Sequence, residues 1–366
     1  MIKVLFLSGN LCDGGAQRVI SVVASALAEK GHDVSLLLFS RNEKEYTISE
    51  KVKITAIRGS YEEYCKVSSV GRIKFIRRYL KQLKPDVAVG FLEGGYALYL
   101  SSFGMKIKKI ASIREDPQRL LSRPGLRCKI NRMWFNAADQ MVLQTQSQIS
   151  RVPSKIAKKS IVISNPVSDK ALAIEKQNYD TCRNFVMAGR LAAQKNYPMV
   201  FRAVSIVKAK YPDIHVDIFG KGGAFDNLKS MISEMKLEDN ITLCGWSQNT
   251  LEEYLNHDAY ILTSNSEGLP NALMEAMALG LPCISTDCNT GPADLITNGE
   301  NGFLIPTGDH EALAKRMLEL IEMRAEKRAR IGNNARKTLS ESFNSQAIAE
   351  QWEELFLKLK KQVDVK

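Results

Sequence analysis

Histidine, paired cysteine and long apolar runs are what this chain of 366 residues has little of. Its four histidines, at 32, 215, 257 and 310, are well separated, so a histidine-rich metal site has little support. The seven cysteines are odd in number and include no C-x-x-C pair, so free thiols in a reducing cytosol are the expected state. No apolar run approaches the roughly 18 residues of a membrane-spanning helix. The N-terminal Met1–Ser8 is too short for a signal peptide and reads as a first strand. No D-x-D occurs, so a diphosphate held through a carboxylate-bound metal gets no support. The Gly14-Gly15 turn does not match G-x-G-x-x-G, which argues against a nicotinamide or flavin enzyme. Solenoid-length repeats and long low-complexity stretches are absent too.

What is present is an ordinary globular composition, 45% hydrophobic and 25% charged, over a length that suits two domains. The net charge of +11 is uneven. Residues 1–168 hold 28 Lys+Arg against 13 Asp+Glu, a surplus of 15, and residues 169–366 hold 23 against 27, a deficit of 4. That asymmetry points to an anionic partner for the first half.

Short apolar runs punctuated by turns recur along the chain. Strands are expected at 2–8, 34–39, 52–57, 87–91, 110–113, 141–144 and 161–163. The pattern restarts after Asn165-Pro166-Val167, with strands at 184–188, 215–219, 241–244, 259–264, 283–286 and 302–305. Helical patterns lie between, among them 70–83 and 126–137. Near-continuous apolar strands alternating with helices predict two α/β domains, each a doubly wound Rossmann-like parallel sheet, facing an interdomain cleft. The expected division is 1–168, 169–345 and a C-terminal helix, 346–366, returning to the first domain. The polar stretch 165–183 reads as the linker.

The chemistry-bearing motifs follow strands. Glu267-Gly268-Leu269-Pro270-Asn271 leads from a buried strand into a helix that carries Glu275 and stops at Gly280. One carboxylate sits in the turn and one on the helix, and the free helix N-terminus between them favours an anion. Gly189-Arg190 and Lys195 place two cations five residues apart, suited to a leaving diphosphate. The turns at Gly14-Gly15 and Gly220-Lys221-Gly222-Gly223 bring backbone amides close to a ligand. Trp246 could border a nucleobase or pack between structural elements.

In this order the motifs resemble the family-4 retaining glycosyltransferases of the GT-B fold, over nearly the whole chain. The resemblance implies that Arg190 and Lys195 bind the donor diphosphate, that Glu275 holds the ribose and that Glu267 faces the transferred sugar. It implies that Gly14, Gly15, Gly222, Gly268, Leu269 and Asn271 line the donor. The donor is then a nucleotide-diphosphate sugar, with UDP the expected nucleotide, transferred with retention and without metal or other cofactor. Two departures stand out. Ser112-Ile113-Arg114-Glu115-Asp116 occupies the region where many members carry a histidine, which leaves Arg114 as a donor or acceptor contact. Gln17 stands where an acidic residue is common, and His32 fits a structural turn.

Glu93 is the first-domain carboxylate expected to contact the acceptor, a glycan or polyprenyl-diphosphate-linked sugar used in cell-surface polysaccharide or glycolipid synthesis. The stripe at 70, 73, 76, 80 and 83 is explained by packing, whereas the surrounding cations and those at 106, 108, 109, 119, 123, 127, 129 and 132 are not. They lead to the expectation of peripheral association with the inner, cytoplasmic face of the membrane through anionic lipids. The competing readings are a nucleotide-sugar epimerase or glycogen-type phosphorylase of the same fold, and a non-enzymatic basic nucleic-acid-binding protein. The cations lack interleaved aromatics or a recognised nucleic-acid motif, so no nucleic-acid partner is expected.

Overall fold

The computed structural model describes residues 1–364 except 13, 43–44, 92, 122–124, 177–178 and 248, and leaves out the side chains of 127, 363 and 364. Two of the cations named above, Arg123 and the Arg127 side chain, therefore lie outside the described residues. The chain divides into two compact units. The first comprises Met1–Pro166 with Ser345–Lys366, and the second comprises Val167–Asn344.

Seven parallel strands build the first unit: β1 (Lys3–Ser8), β2 (Asp33–Ser40), β3 (Lys53–Arg58), β4 (Val87–Phe91), β5 (Lys108–Ser112), β6 (Gln140–Leu143) and β7 (Ser160–Val162). Their spatial order is β3-β2-β1-β4-β5-β6-β7. Because alternate residues face opposite sides of a strand, β1 sends Val4 and Phe6 into one apolar layer and Leu5 and Leu7 into the other. Both faces are covered, which is why these strands read as unbroken apolar runs rather than alternating ones. Helix α1 (Gly15–Glu29) covers the Phe6 face, and α3 (Ser69–Leu83) and α4 (Glu93–Ser101) cover the Leu7 face. Between β3 and α3 lies the short helix α2 (Tyr61–Cys65).

The helix Ser345–Asp364 completes the first unit's core. Ile348, Trp352, Leu355, Phe356 and Leu359 are buried against Phe6, Val23 and Phe91. Phe356 meets Phe6 at 6.1 Å edge to face, and Trp352 lies 6.1 Å from Phe91. At its margin Glu353 accepts from Lys30 Nζ at 2.6 Å and pairs with His32 Nε2 at 2.8 Å, while His32 Nδ1 accepts from Ile2 N–H. His32 thereby joins the helix to the α1–β2 turn.

Six parallel strands build the second unit: β8 (Asn184–Ala188), β9 (His215–Phe219), β10 (Ile241–Gly245), β11 (Ala259–Leu262), β12 (Cys283–Thr286) and β13 (Phe303–Ile305). Their order is β10-β9-β8-β11-β12-β13. In each sheet the order reverses at one place, between β1 and β4 and between β8 and β11. Loops leaving the C-terminal ends of those strand pairs diverge, and an open α/β sheet binds its ligands in the crevice so formed.

The linker expectation for 165–183 gives way to a different arrangement. Arg328, almost fully buried, donates to the carbonyls of Tyr179, Asp180 and Leu320. Arg336 donates to the carbonyls of Leu172, Ile174 and Ala278. Lys176 Nζ reaches His257 O at 2.8 Å, and Tyr179 OH reaches Gly280 O at 2.8 Å. A polar segment is thus fastened to the second unit by arginines more than a hundred residues downstream, a pairing that local composition does not reveal.

Candidate active site

The second unit's switch point gathers most of the residues singled out from the sequence. After β8 the chain runs through Gly189 and Arg190, makes a short turn at Ala193–Lys195 and enters the helix Tyr197–Val207 through Asn196, whose φ of 50° is left-handed. After β11 it runs through Thr263–Pro270 into the helix Asn271–Ala278. Lys195 Nζ meets Glu267 Oε1 at 2.6 Å, with 18% and 10% of the two side chains exposed. Ser264 Oγ donates to the same Glu267 oxygen, and Thr290 Oγ1 donates to the Glu267 carbonyl. Thr263 Oγ1 donates to Lys195 O at 2.8 Å, and Asn265 N–H to Gln194 O at 2.8 Å. The two loops are therefore sewn together, and the ion pair sits where neither side chain is free to wander.

Burial first, and the Glu267 charge second, push the Tyr197 phenol far above its ordinary value. The same two causes raise the buried Cys288 thiol to about 12. Both groups are neutral at physiological pH. Tyr197 instead donates its proton to Gly189 O at 3.1 Å, bracing the β8 loop. Arg190 is exposed, and among the described residues no carboxylate pairs with it. One cation is thus committed to a carboxylate while the other is available to solvent or ligand.

The helix Asn271–Ala278 has no side-chain cap and no acidic residue in its first turn. The positive end of its dipole favours an anion there. Pro270 occupies the cap position with φ −76°, so Asn271 opens the helix. Gly268 and Leu269 are buried and Glu275 is half-buried on the second turn. Behind Gly268, a Cβ added to Gly291 would fall 2.4 Å from Gly268 O, so only glycine permits this backbone approach. The Gly222 loop is set in the same way, since a Cβ there would lie 2.2 Å from Leu191 O. Trp246 is half exposed beyond β10, with Lys221 Nζ 5.5 Å from its ring centre.

The remaining sequence-derived residues lie in the first unit. Gly14, with φ 148°, precedes α1, whose first turn has neither a side-chain cap nor an acidic residue. Glu93 opens α4 just beyond the end of β4, and its Oε2 lies 3.2 Å from where a Cβ on Gly9 would stand. Gly14, Gly15 and Glu93 thus share the β1/β4 switch point. Arg114 does not join them. Its Nε donates to Ser112 Oγ at 2.8 Å, and its Nη1 to Ile163 O at 3.0 Å and Asn165 Oδ1 at 3.1 Å. The guanidinium lies 5.6 Å from the rings of both Phe91 and Trp352. Burial lowers it to about 9, so it stays charged at neutral pH. These contacts bind the end of β7 to the C-terminal helix.

Sequence reading missed the hydroxyls and amides that support the site: Thr263, Ser264, Thr290 and Gln194. The polar run Thr263-Ser264-Asn265-Ser266 after an apolar strand was the available signal. Nothing local marks Thr290, which arrives from the loop after β12.

Residues 169–338 match the family model of glycosyl transferases group 1. That match spans most of the second unit, and over nearly the whole chain the sequence is similar to proteins named as glycosyltransferases. An uncharacterized glycosyltransferase of Haemophilus influenzae is 27% identical over 96% of this chain and 99% of its own. An α-1,4-N-acetyl-D-galactosaminyltransferase of Campylobacter jejuni, named for a diNAcBac-PP-undecaprenol-linked GalNAc disaccharide, is 27% identical over 98% of this chain and 99% of its own. The crystal structure of Anabaena HepE in complex with UDP superposes with a TM-score of 0.78 at 17% identity, over 98% of this chain and 100% of that one. The fold is accordingly GT-B, with two Rossmann-like α/β units.

Proposed function

We propose that the protein is a group 1 glycosyltransferase that moves a sugar, with retention, from a nucleotide-diphosphate donor bound by its second unit to a glycan or lipid-linked sugar acceptor. The observation that carries this is the convergence of Arg190, Lys195 and Glu267 on the β8/β11 switch point, beside the uncapped helix Asn271–Ala278. A diphosphate there is met by Arg190, by Lys195 and by helix amides, so the charge that develops as the glycosidic C–O bond breaks is stabilised without a metal. In this reading Glu267 accepts hydrogen bonds from the transferred sugar, Glu275 holds the ribose, and Trp246 borders the base. The leaving phosphate oxygen takes the acceptor hydroxyl's proton on the same face as the new bond forms. The complex of HepE with UDP supports a uridine donor, and the Campylobacter relative's name supports a polyprenyl-diphosphate-linked acceptor.

The test is incubation with UDP-, GDP- and ADP-sugars, with and without EDTA, following release of the nucleoside diphosphate. Slow release from one donor, unchanged by EDTA, is expected. No turnover and no thermal shift with any donor sinks the reading.

Charge and exposure in the first unit support association with an anionic membrane surface. That unit carries 32 Lys+Arg against 17 Asp+Glu, while the second carries 19 against 23. Among the described residues no helix is long and apolar enough to cross a membrane. Phe103 is 80% exposed in the turn after α4, where Arg77 holds the carbonyls of Ser101 and Phe103, and Lys74, Arg78, Lys81 and Lys106 are exposed. An aromatic ring amid cations suits the interface of an anionic bilayer. Flotation with phosphatidylglycerol vesicles at rising salt tests this, and no binding at low salt overturns it.

A further inference from the structure

Helix α2 has two tyrosines and a role that packing does not explain. None of its five residues is buried, so it adds little to the core. Yet it is held firmly. Ser60 caps it by accepting from Glu63 N–H at 3.2 Å, and Glu63 Oε2 accepts from Gly59 N–H at 3.2 Å. Arg72, from the start of α3, donates to Tyr64 O at 2.9 Å and lies 3.9 Å from the centre of the Tyr64 ring. Phe39, near the end of β2, stacks on Tyr64 at 5.2 Å and 14°. Tyr64 is thereby fixed, and Tyr61 stands beside it at 6.4 Å with its side chain 63% exposed. Half-buried Tyr64 braces Tyr61, whose outward-facing ring offers area at low conformational cost, as aromatic residues do in recognition surfaces.

Glu93 is the polar counterpart. Its carboxylate lies over Gly9, in the loop after β1 that leads to Gly14 and Gly15. Gly9 O in turn accepts from Phe39 N–H at 3.0 Å, and Phe39 is the ring that stacks on Tyr64. The aromatic pair and the carboxylate therefore flank one backbone junction at the C-terminal edge of the first sheet.

We propose that Tyr61, Tyr64 and Glu93 form a saccharide-binding platform, on which a pyranose ring of the acceptor lays its C–H face against Tyr61 while its hydroxyls donate to Glu93. An aromatic face accepts the apolar side of a sugar, and a carboxylate fixes its orientation, the division of labour usual in small-molecule sites. The inference rests on the transferase reading for the word acceptor, but the binding it describes is measurable without any donor.

The experiment is saturation-transfer NMR on the full chain with methyl α-glucoside, methyl α-galactoside and their 2-acetamido counterparts, with uridine as control. At least one glycoside is expected to receive saturation on its ring C–H protons. Tyr61→Ala is expected to weaken its binding roughly tenfold, Tyr61→Phe to retain it, and Glu93→Gln to weaken it. Tyr61 is exposed, so unchanged thermal unfolding verifies that Tyr61→Ala is folded. No saturation of any glycoside by the unsubstituted protein, or equal binding by Tyr61→Ala, overturns the proposal. UDP titration of the unsubstituted protein separates the two readings. Glycoside binding without UDP binding defeats the donor assignment and leaves the platform standing, and the reverse result does the opposite.

Discussion

At the β8/β11 switch point the loops are lined with side chains that hold one another, from the Lys195–Glu267 pair to the hydroxyls of Thr263, Ser264 and Thr290. At the β1/β4 switch point the chain turns through Gly9, Gly14 and Gly15, and the Glu93 carboxylate lies beside Gly9. The sheets share a topology, yet one crevice is wired in advance and slightly acidic as a unit while the other is glycine-lined within a strongly basic unit. A site that must stabilise charge as a bond breaks gains from dipoles fixed beforehand. A site that must admit a bulky acceptor gains from exposed aromatic area and from backbone that leaves room.

The largest expected effect separates the units by stability. Trp352→Ala removes a fully buried indole from the first unit and is expected to cost about 3–5 kcal/mol there. Limited proteolysis should open the first unit while the second still binds UDP, and loss of both together would show that the units are not independent. Next is Lys195→Ala, which strips Glu267 of its cation. A fall in transfer rate of about 100- to 1000-fold is expected from losing one preorganised charge, with little change in thermal unfolding. A rate within a few-fold of the parent would deny the wired crevice its role.

Glu275→Ala is expected to weaken UDP binding by about one order of magnitude, the loss of a hydrogen bond to a charged group, read by calorimetry. Unchanged affinity would refute its ribose role. Smallest in stability is the triple change Lys74→Gln, Arg78→Gln, Lys81→Gln on the exposed side of α3. Thermal unfolding should move by less than about 0.5 kcal/mol while low-salt vesicle binding falls markedly. Undiminished binding would place the anionic surface elsewhere on the unit.

All thirteen strands were legible because each is a short, largely apolar run ended by a turn, and burial on both faces kept inner strands such as β1, β4, β11 and β12 unbroken. Helix α4 was not, because its face pattern is erased. It packs on the sheet so closely that a Cβ on Gly94 would fall 2.2 Å from Leu7 O, and its inward side carries Gly94, Gly95 and Ser101 while Leu100 is exposed. The Ala325–Ser342 helix was hidden for the opposite reason, a charged sequence whose inward side carries Arg328 with Ile331, Ala335 and Leu339. Helix α2 escaped notice because five residues are too few for a period, although Ser60 and Glu63 at capping-box spacing announced its start. In the site, the carboxylates and cations were legible from motif and order. Their mutual pairing was not, since Lys195 and Glu267 are 72 residues apart and only the sheet order makes them neighbours.

The helix Ser345–Asp364 has a consequence for how the molecule comes to exist. A ribosome delivers the second unit complete while the apolar layer of Phe6, Val23 and Phe91 still lacks its cover. The second unit is therefore free to fold first, although it is made later than the strands of the first. Until residues 345–364 are made, that apolar layer of the nascent first unit stays uncovered.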